Sequence, residues 1–329
     1  MKRIAINGMG RIGRASLKII TDHPDLELVA VNDIAAIDNI AYLIRYDSVH
    51  GVFEKEVKVE DSHLKIGEKA IQFLNEKDPS QLPWKDLEID VVIESTGVFT
   101  KETDAEKHLK AGARTVVLSG PSKSPEVPTV VHGVNTDDGK TSIFSCASCT
   151  TNNISPVIEI IGRRLGIEKA IMTTVHADTA SNKTVDGPSQ KDWRMGRSGL
   201  NNLIPTSTGA AIATTRAMPE YAGKFDGLAI RVPVAVGSIS DITMVTAKDT
   251  TVEEVNRILA EEAASYRYEK VFSVTNDPVV SSDIVKSPYA AIADLNMTKV
   301  VDGNLLKVLA WYDNEWGFTH QMIRQIEEL

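Results

Sequence analysis

The run Gly8-Met9-Gly10-Arg11-Ile12-Gly13 constrains this chain more than any other feature. It follows an apolar stretch with strand character, Arg3–Asn7, and opens a helical pattern over Ile12–Thr21. Three glycines at that spacing serve three ends. The first permits a tight turn, the second lets a pyrophosphate approach the backbone, and the third lets helix and strand pack closely. The start of the helix then offers free N–H groups to an anion. Alone, Gly-x-Gly-x-x-Gly is weak, because any tight turn uses glycine. Asp33 strengthens it: this residue ends the next strand pattern, Leu26–Val31, twenty residues beyond Gly13. A carboxylate there accepts hydrogen bonds from an adenosine ribose and repels a 2′-phosphate. The expected cofactor is NAD rather than NADP.

Around this motif the first half alternates short apolar runs with amphipathic segments. Strands are expected at Arg3–Asn7, Leu26–Val31, Val91–Ser95, Thr115–Ser119 and Ile143–Ser145, with a further pair near Val52–Val59 and Leu64–Phe73. Helices such as Thr103–Ala111 lie between them. That rhythm predicts an α/β, Rossmann-type doubly wound parallel sheet. Past Cys149 the β-branched runs Ala170–His176, Leu228–Val234, Ile239–Ala247 and Leu306–Trp311 lack a helix after each one. An α+β domain with a mostly antiparallel sheet follows. The expected division is 1–148 with 315–329 for the dinucleotide domain, the last helix packing back on it, and 149–314 for the catalytic domain. The polar segment Asp178–Leu203 is long enough to be functional or interfacial.

Composition narrows the classes. A length of 329 residues accommodates about two domains of ordinary size. The net charge of −9 and the lack of a long basic stretch argue against a nucleic-acid binder. No apolar run approaches the roughly 20 residues that span a bilayer, so no membrane association is expected. The chain starts on a strand, leaving no room for a signal peptide. A cytoplasmic location is expected, and no metal.

Chemistry is suggested by Cys146-Ala147-Ser148-Cys149-Thr150-Thr151-Asn152, where a strand hands over to a helix. A cysteine in a first helical turn is favoured as thiolate by the helix dipole. The Cys-x-x-Cys spacing also fits a redox pair or half of a metal site. No second pair completes a zinc site, and no thioredoxin-like unit surrounds it. Pro156 is expected early enough in the helix to be tolerated. His176 closes the β-rich run that begins at Ile171 and projects from a strand end. Taken singly, the cysteine reads as a buried inert thiol and the histidine as a structural one. A dinucleotide fold, a helix-start cysteine and a strand-end histidine together point to covalent catalysis on an aldehyde.

With these residues in place the chain resembles phosphorylating glyceraldehyde-3-phosphate dehydrogenases over nearly its whole length. The resemblance rests on Ile6–Arg14, Tyr46–Gly51, Ser148–Asn152, Thr184–Ser189, Pro205–Ala211, Arg231-Val232-Pro233 and Trp311–Gly317. It implies the glycolytic and gluconeogenic reaction, in which NAD, glyceraldehyde 3-phosphate and inorganic phosphate give 1,3-bisphosphoglycerate. Cys149 would form a hemithioacetal and then a thioester, with His176 as its base. By the same resemblance, Thr179 and Arg231 hold the substrate phosphate, and Ser148, Thr150, Thr208 and Gly209 the attacking one. Gly8, Gly10, Arg11, Ile12, Gly13, Asp33, Lys77 and Ser119 would hold the cofactor, and Asn314 its carboxamide. Pro188 matches family members that prefer NAD, and the long loop around it implies a homotetramer.

The chain departs from the family in places. Asp178 stands where Tyr, Ile or Thr is usual, and a carboxylate there is expected to raise the His176 pKa or weaken the Thr179 site, unless it faces solvent. Asn153 replaces a second cysteine, Val234-Ala235-Val236 replaces Thr-Pro-Asn, and Phe318 replaces a tyrosine. The competing readings are an erythrose-4-phosphate dehydrogenase that uses water, a non-catalytic NAD-binding regulator, and a thiol hydrolase. The four residues of the second phosphate site oppose the first, Cys149 with His176 the second, and Asp33 with Asn314 the third.

Overall fold

The computed structural model describes residues 1–135, 141–190 and 192–329, arranged in two compact units. Unit one comprises Met1–Val130, a segment ending at Ala147, and Met322–Leu329; unit two comprises Val131–Asn135 and Ser148–Gln321.

Unit one is built on strands β1 (Lys2–Asn7), β2 (Leu26–Asn32), β3 (Val57–Glu60), β4 (His63–Ile66), β5 (Lys69–Leu74), β6 (Val91–Glu94), β7 (Thr115–Leu118) and β8 (Ile143–Ser145). They form one sheet in the order β3-β4-β5-β2-β1-β6-β7-β8. From β5 through β8 every pairing is parallel. Helices α1 (Arg11–Thr21), α2 (Ile37–Arg45) and α3 (Glu102–Lys110) lie along the chain between the strands. β6 is buried at all four positions, as expected of a parallel strand covered on both faces. Strand order reverses at β1, which pairs with β2 on one side and β6 on the other. In sheets of this kind, ligands bind outside the carboxyl ends of the strands at that switch point. The expected strand pair over 52–73 is instead three short strands. β3 and β4 form a hairpin around Asp61, whose φ of 52° is left-handed, and β5 turns back to join β2 in parallel.

Unit two contains α4 (Cys149–Leu165), β9 (Ile167–Ala177), β10 (Ile204–Ser207), α5 (Ala210–Ala217), β11 (Phe225–Val232), β12 (Ser238–Thr246), α6 (Val252–Ala263), β13 (Phe272–Thr275), β14 (Ala291–Asp294), β15 (Lys299–Val301), β16 (Leu305–Tyr312) and the first half of α7 (Trp316–Glu327). Its sheet runs β10-β11-β9-β12-β16-β14-β13, with β15 on β16, and only β9·β11 and β13·β14 are parallel. Burial alternates strictly along β12, the signature of a strand with one face on the core. That core packs Ile154, Val157, Ile158 and Ile161 of α4 against Met172, Ile242, Met244 and Val308 of the sheet.

Two expectations need correcting. Pro156 is the eighth residue of α4, in the helix interior, where proline removes a backbone hydrogen bond. Burial of Ile154, Val157, Ile158 and Ile161 around it offsets that loss. Only Met322–Leu329 of the last helix belongs to unit one; Trp316–Gln321 packs in unit two, where Gln321 donates to the carbonyls of Pro288 at 2.8 Å and Lys270 at 3.2 Å. Among the described residues no helix is long and apolar enough to cross a membrane.

Candidate active site

In unit one the glycine run leaves no room for side chains at two of its three positions. Gly8 has a φ of 95°, and a Cβ there would lie 2.7 Å from the Thr96 nitrogen. A Cβ on Gly13 would lie 2.0 Å from the Gly8 carbonyl, so only glycine lets α1 sit this close to the turn. Gly10 caps α1, with open space where a side chain would project. A cleft of about 410 Å³ opens here, lined by Gly8, Gly10, Asp33 and Lys77 together with Asn7, Asn32, Thr96 and Phe99.

Asp33 is fixed from two sides. Its carboxylate accepts from the Met9 N–H at 2.7 Å and from the Ala35 N–H at 2.8 Å. One side chain therefore ties the glycine turn to the end of β2 and still keeps lone pairs for a ribose. Arg11 and Ile12 open α1, and the Arg11 guanidinium pairs with Asp47 at 2.8 Å. Ser119 follows β7, and its N–H donates to the Glu94 carbonyl; it is outside the cleft lining. Sequence reading missed a polar network that runs inward from two cleft residues, Asn32 and Asn7. Asn32 donates to Asn7 at 2.7 Å, Asn7 donates to Glu94, and His108 lies 3.1 Å from Glu94. Pairing of β2, β1 and β6 brings the first three together and α3 adds His108, so no local pattern announces them.

In unit two the reactive groups come from four elements. Ser148 caps α4, its hydroxyl accepting from the Thr151 N–H at 3.1 Å. The residue before it, Ala147, has a φ of 59°, a strained conformation for a side chain of that kind. Cys149 is thereby the first residue of the helix. His176 lies on β9 with Met172 and Thr174 on the buried face, and its Nε2 is 3.4 Å from the Cys149 sulfur. Arg231 is the register partner of His176 on the neighbouring parallel strand β11. Its Nη1 donates to His176 Nδ1 at 2.6 Å and to the Ala177 carbonyl at 3.1 Å. Tyr312 meets the His176 ring edge-on at 5.9 Å between centroids. The Tyr312 hydroxyl lies 3.0 Å from that of Thr150 and 2.8 Å from that of Thr174.

These contacts set the charge states. Burial pulls the His176 pKa down to about 4, with the Arg231 charge acting the same way and the Ala177 carbonyl opposing. Burial pushes the Cys149 thiol up, against the Arg231 charge and hydrogen bonds from Thr150 and the Cys149 N–H. Desolvation thus opposes the helix start, which favours the thiolate. Asp178 does not raise the His176 pKa. Its carboxyl packs on Gly199, with Oδ1 buried and unpartnered, and its N–H donates to the Val234 carbonyl at 2.9 Å.

The other expected residues take these places. The Thr179 hydroxyl is 2.8 Å from that of Ser181. Thr208 and Gly209 stand at the start of α5, a helix that packs on α4. The Thr150 hydroxyl is turned into the core toward Tyr312 rather than outward. Asn314 is buried, and its side chain accepts from the Gly237 N–H at 3.2 Å and the Ser238 hydroxyl at 3.0 Å. A backbone N–H can only donate, so that atom is Oδ1 and the amide has its NH₂ left to offer. Ser238, which sequence reading missed, also accepts from the Ala177 N–H at 3.1 Å and so links Asn314 to the strand end at His176. Asn153 points its amide at the carbonyls of Ala310 and Trp311, a packing role with no sulfur chemistry. Apart from residue 191, outside the described residues, the long loop is ordered on itself through Arg197–Asp186 at 2.8 Å and a short helix, Trp193–Gly196.

Comparison with known proteins agrees with this geometry. Residues 2–102 match the NAD binding domain of glyceraldehyde 3-phosphate dehydrogenase, and residues 148–314 match its C-terminal domain. The chain is 44% identical over 332 residues to a glyceraldehyde-3-phosphate dehydrogenase of Clostridium acetobutylicum, covering 99% of this chain and 98% of that one. It is 44% identical over 331 residues to glyceraldehyde-3-phosphate dehydrogenase 1 of Candida glabrata, at the same coverage. A Chlamydia muridarum glyceraldehyde-3-phosphate dehydrogenase is also 44% identical, over 329 residues, with 99% and 98% covered. A glycine cradle, a helix-start thiol against a buried imidazole, and matches across both units place the chain in the glyceraldehyde-3-phosphate dehydrogenase family.

Proposed function

We propose that this protein oxidises D-glyceraldehyde 3-phosphate and phosphorylates the product to 1,3-bisphosphoglycerate, with Cys149 as nucleophile and His176 as base. The observation that carries the reading is the 3.4 Å approach of the Cys149 sulfur to His176 Nε2 at the start of α4. The residues of unit one fit a dinucleotide. Gly8 and Gly13 hold the backbone where a Cβ would collide, and Asp33 faces the cleft with its orientation fixed. NAD, when bound, supplies the acceptor for the substrate hydride.

The chain's own groups do the rest. Cys149 gives its proton to His176, its sulfur attacks the aldehyde carbon, and His176 returns that proton to the oxygen, which completes the hemithioacetal and leaves the imidazole neutral. His176 is the base for the hydroxyl proton as that carbon is oxidised to the thioester, a role worth about 10²–10⁴ in rate. The Cys149 N–H, at the helix start, is a donor for the tetrahedral oxygen. Inorganic phosphate then attacks the thioester carbon, and the C–S bond breaks to release the acyl phosphate. Arg231 with Thr179 holds the substrate phosphate. Ser148, Thr208, Gly209 and the backbone of Thr150 hold the attacking one. Asn314 offers its NH₂ to the cofactor carboxamide.

The enzyme works in the cytoplasm as a homotetramer. Supporting this, the long loop exposes Val185, Trp193, Leu200 and Leu203, an apolar set that another copy would cover. The test is NADH formation from glyceraldehyde 3-phosphate with NAD and phosphate. Undiminished turnover without phosphate, or a preference for erythrose 4-phosphate, contradicts the reading. Light scattering that finds a monomer contradicts the tetramer.

A further inference from the structure

A buried carboxylate borders the dinucleotide cleft. Glu94 ends β6 and is 3% exposed, and four hydrogen-bond donors converge on it. Its Oε1 accepts from the hydroxyl of Thr96 and, at 2.8 Å, from the Thr96 N–H. Its Oε2 accepts from Asn7 Nδ2 and faces His108 Nε2 at 3.1 Å. The Trp84 indole N–H donates to His108 Nδ1 at 2.9 Å, so that nitrogen is bare. The ring proton is on Nε2 and points at Glu94. The imidazole is therefore neutral, and the carboxylate is held by four neutral donors. Its two oxygens offer about four lone-pair positions, and all are taken.

From Oε2 the chain of bonds runs on to the other flank of the cleft. With Nδ2 committed to Glu94, Asn7 turns its Oδ1 to Asn32 Nδ2 at 2.7 Å. Asn32 then grips the Glu76 backbone, donating to its carbonyl and accepting from its N–H, each at 2.9 Å. Asn32 and Glu76 follow β2 and β5, on one side of β1, while Thr96 follows β6 on the other; all three line the cleft. We propose that Glu94 is a positioning residue for the cofactor, one carboxylate that ties both flanks of the cleft and so fixes their spacing for the adenosine half of NAD. The proposal rests on the reading of this cleft as the NAD site. A negative charge here works against an anionic pyrophosphate, so Glu94 acts through its acceptors and not its charge. No neutral side chain supplies as many. Glutamine has one oxygen, and whichever way its amide turns, its NH₂ faces two donors. His108 cannot relieve that clash by changing tautomer, because Nδ1 must stay bare for Trp84.

The test measures NAD and ADP-ribose affinity by calorimetry on the full-length protein, beside steady-state kinetics. Glu94→Gln removes a negative charge near an anionic ligand, so Coulomb attraction alone predicts tighter binding. A purely structural role predicts lower stability with affinity unchanged. Positioning predicts that both Kd values rise about tenfold or more, as unpaired buried donors demand, while kcat at saturating NAD stays within about twofold. A Kd that is unchanged or lower, or a loss confined to kcat, overturns the proposal. Should Glu94→Gln not fold, His108 decides, because it lies outside the cleft lining and reaches the cofactor through Glu94. His108→Leu should raise the NAD Kd about threefold, and His108→Gln, which can still donate to Glu94 and accept from Trp84, should restore it. Equal Kd values in those two variants overturn the proposal. The ¹⁵N spectrum of the apo wild type checks the donor count, with the His108 ring assigned by its loss in His108→Gln. A bare Nδ1 and a protonated Nε2 are expected, and the reverse tautomer overturns the account of Glu94. If Asp33→Asn leaves NAD affinity unchanged, the cleft is not the NAD site, a failure separate from these.

Discussion

Acid should weaken this fold through His176 in a calculable way. The imidazole is 4% exposed, and its pKa falls from the ordinary 6.5 to about 4, first through burial and then through the Arg231 charge. Between those two values the unfolded chain binds a proton that the folded one refuses. Stability therefore rises with pH across that window and falls as the solution is acidified through it. The whole window is worth about 3 kcal/mol at 1.36 kcal/mol per unit, and about 2 kcal/mol of it is lost by pH 5. Urea unfolding of the wild type and of His176→Gln, each at pH 8 and pH 5, isolates the effect, because glutamine does not titrate. The wild type should lose about 2 kcal/mol more than the variant between the two pH values. Equal losses would refute the claim that His176 is held neutral by its surroundings.

Four further outcomes follow from the geometry. His176→Asn should lower turnover by about 10²–10⁴ while leaving NAD affinity unchanged, as read by steady-state kinetics and NAD titration. Gly13→Ala places a methyl 2.0 Å from the Gly8 carbonyl, so NAD affinity should fall and unit one should lose about 1–3 kcal/mol by calorimetry. Asp33→Asn should weaken NAD binding and narrow the preference for NAD over NADP, since it removes the charge that repels a 2′-phosphate; an unchanged cofactor ratio would count against the ribose role. Asn314→Ala leaves the Gly237 N–H and the Ser238 hydroxyl without their acceptor, so stability should fall by about 1–3 kcal/mol and hydride transfer should slow.

What could be read from the sequence was what local sterics dictate. Gly8 and Gly13 were legible because a strand–turn–helix junction around a phosphate admits no other residue at those places. Cys149 and His176 were legible as positions, one at a helix start and one at a strand end, but their charge states were not. Those depend on desolvation by the packed core and on Arg231, which sheet register sets beside His176 although 55 residues separate them. Tyr312 and Ser238 escaped for the same reason. Tyr312 meets Thr150 and Thr174 across 162 and 138 residues, and within their own strands both read as ordinary alternation. Thr150 is a different case. The family pattern implies a phosphate hydroxyl, while packing of β16 against α4 turns that hydroxyl inward. Pro156 was placed correctly in a helix that starts at Cys149, but seven residues on it stands past the first turn, in the interior.

Catalysis by this protein turns on a covalent bond to one sulfur. Mixing the enzyme with glyceraldehyde 3-phosphate and NAD in the absence of phosphate, then digesting and weighing the peptides, tests it most directly. A phosphoglyceroyl thioester should be found on the peptide carrying Cys149 and should vanish when phosphate is added. NADH formation with that peptide unmodified, or an adduct on any other residue, would contradict it.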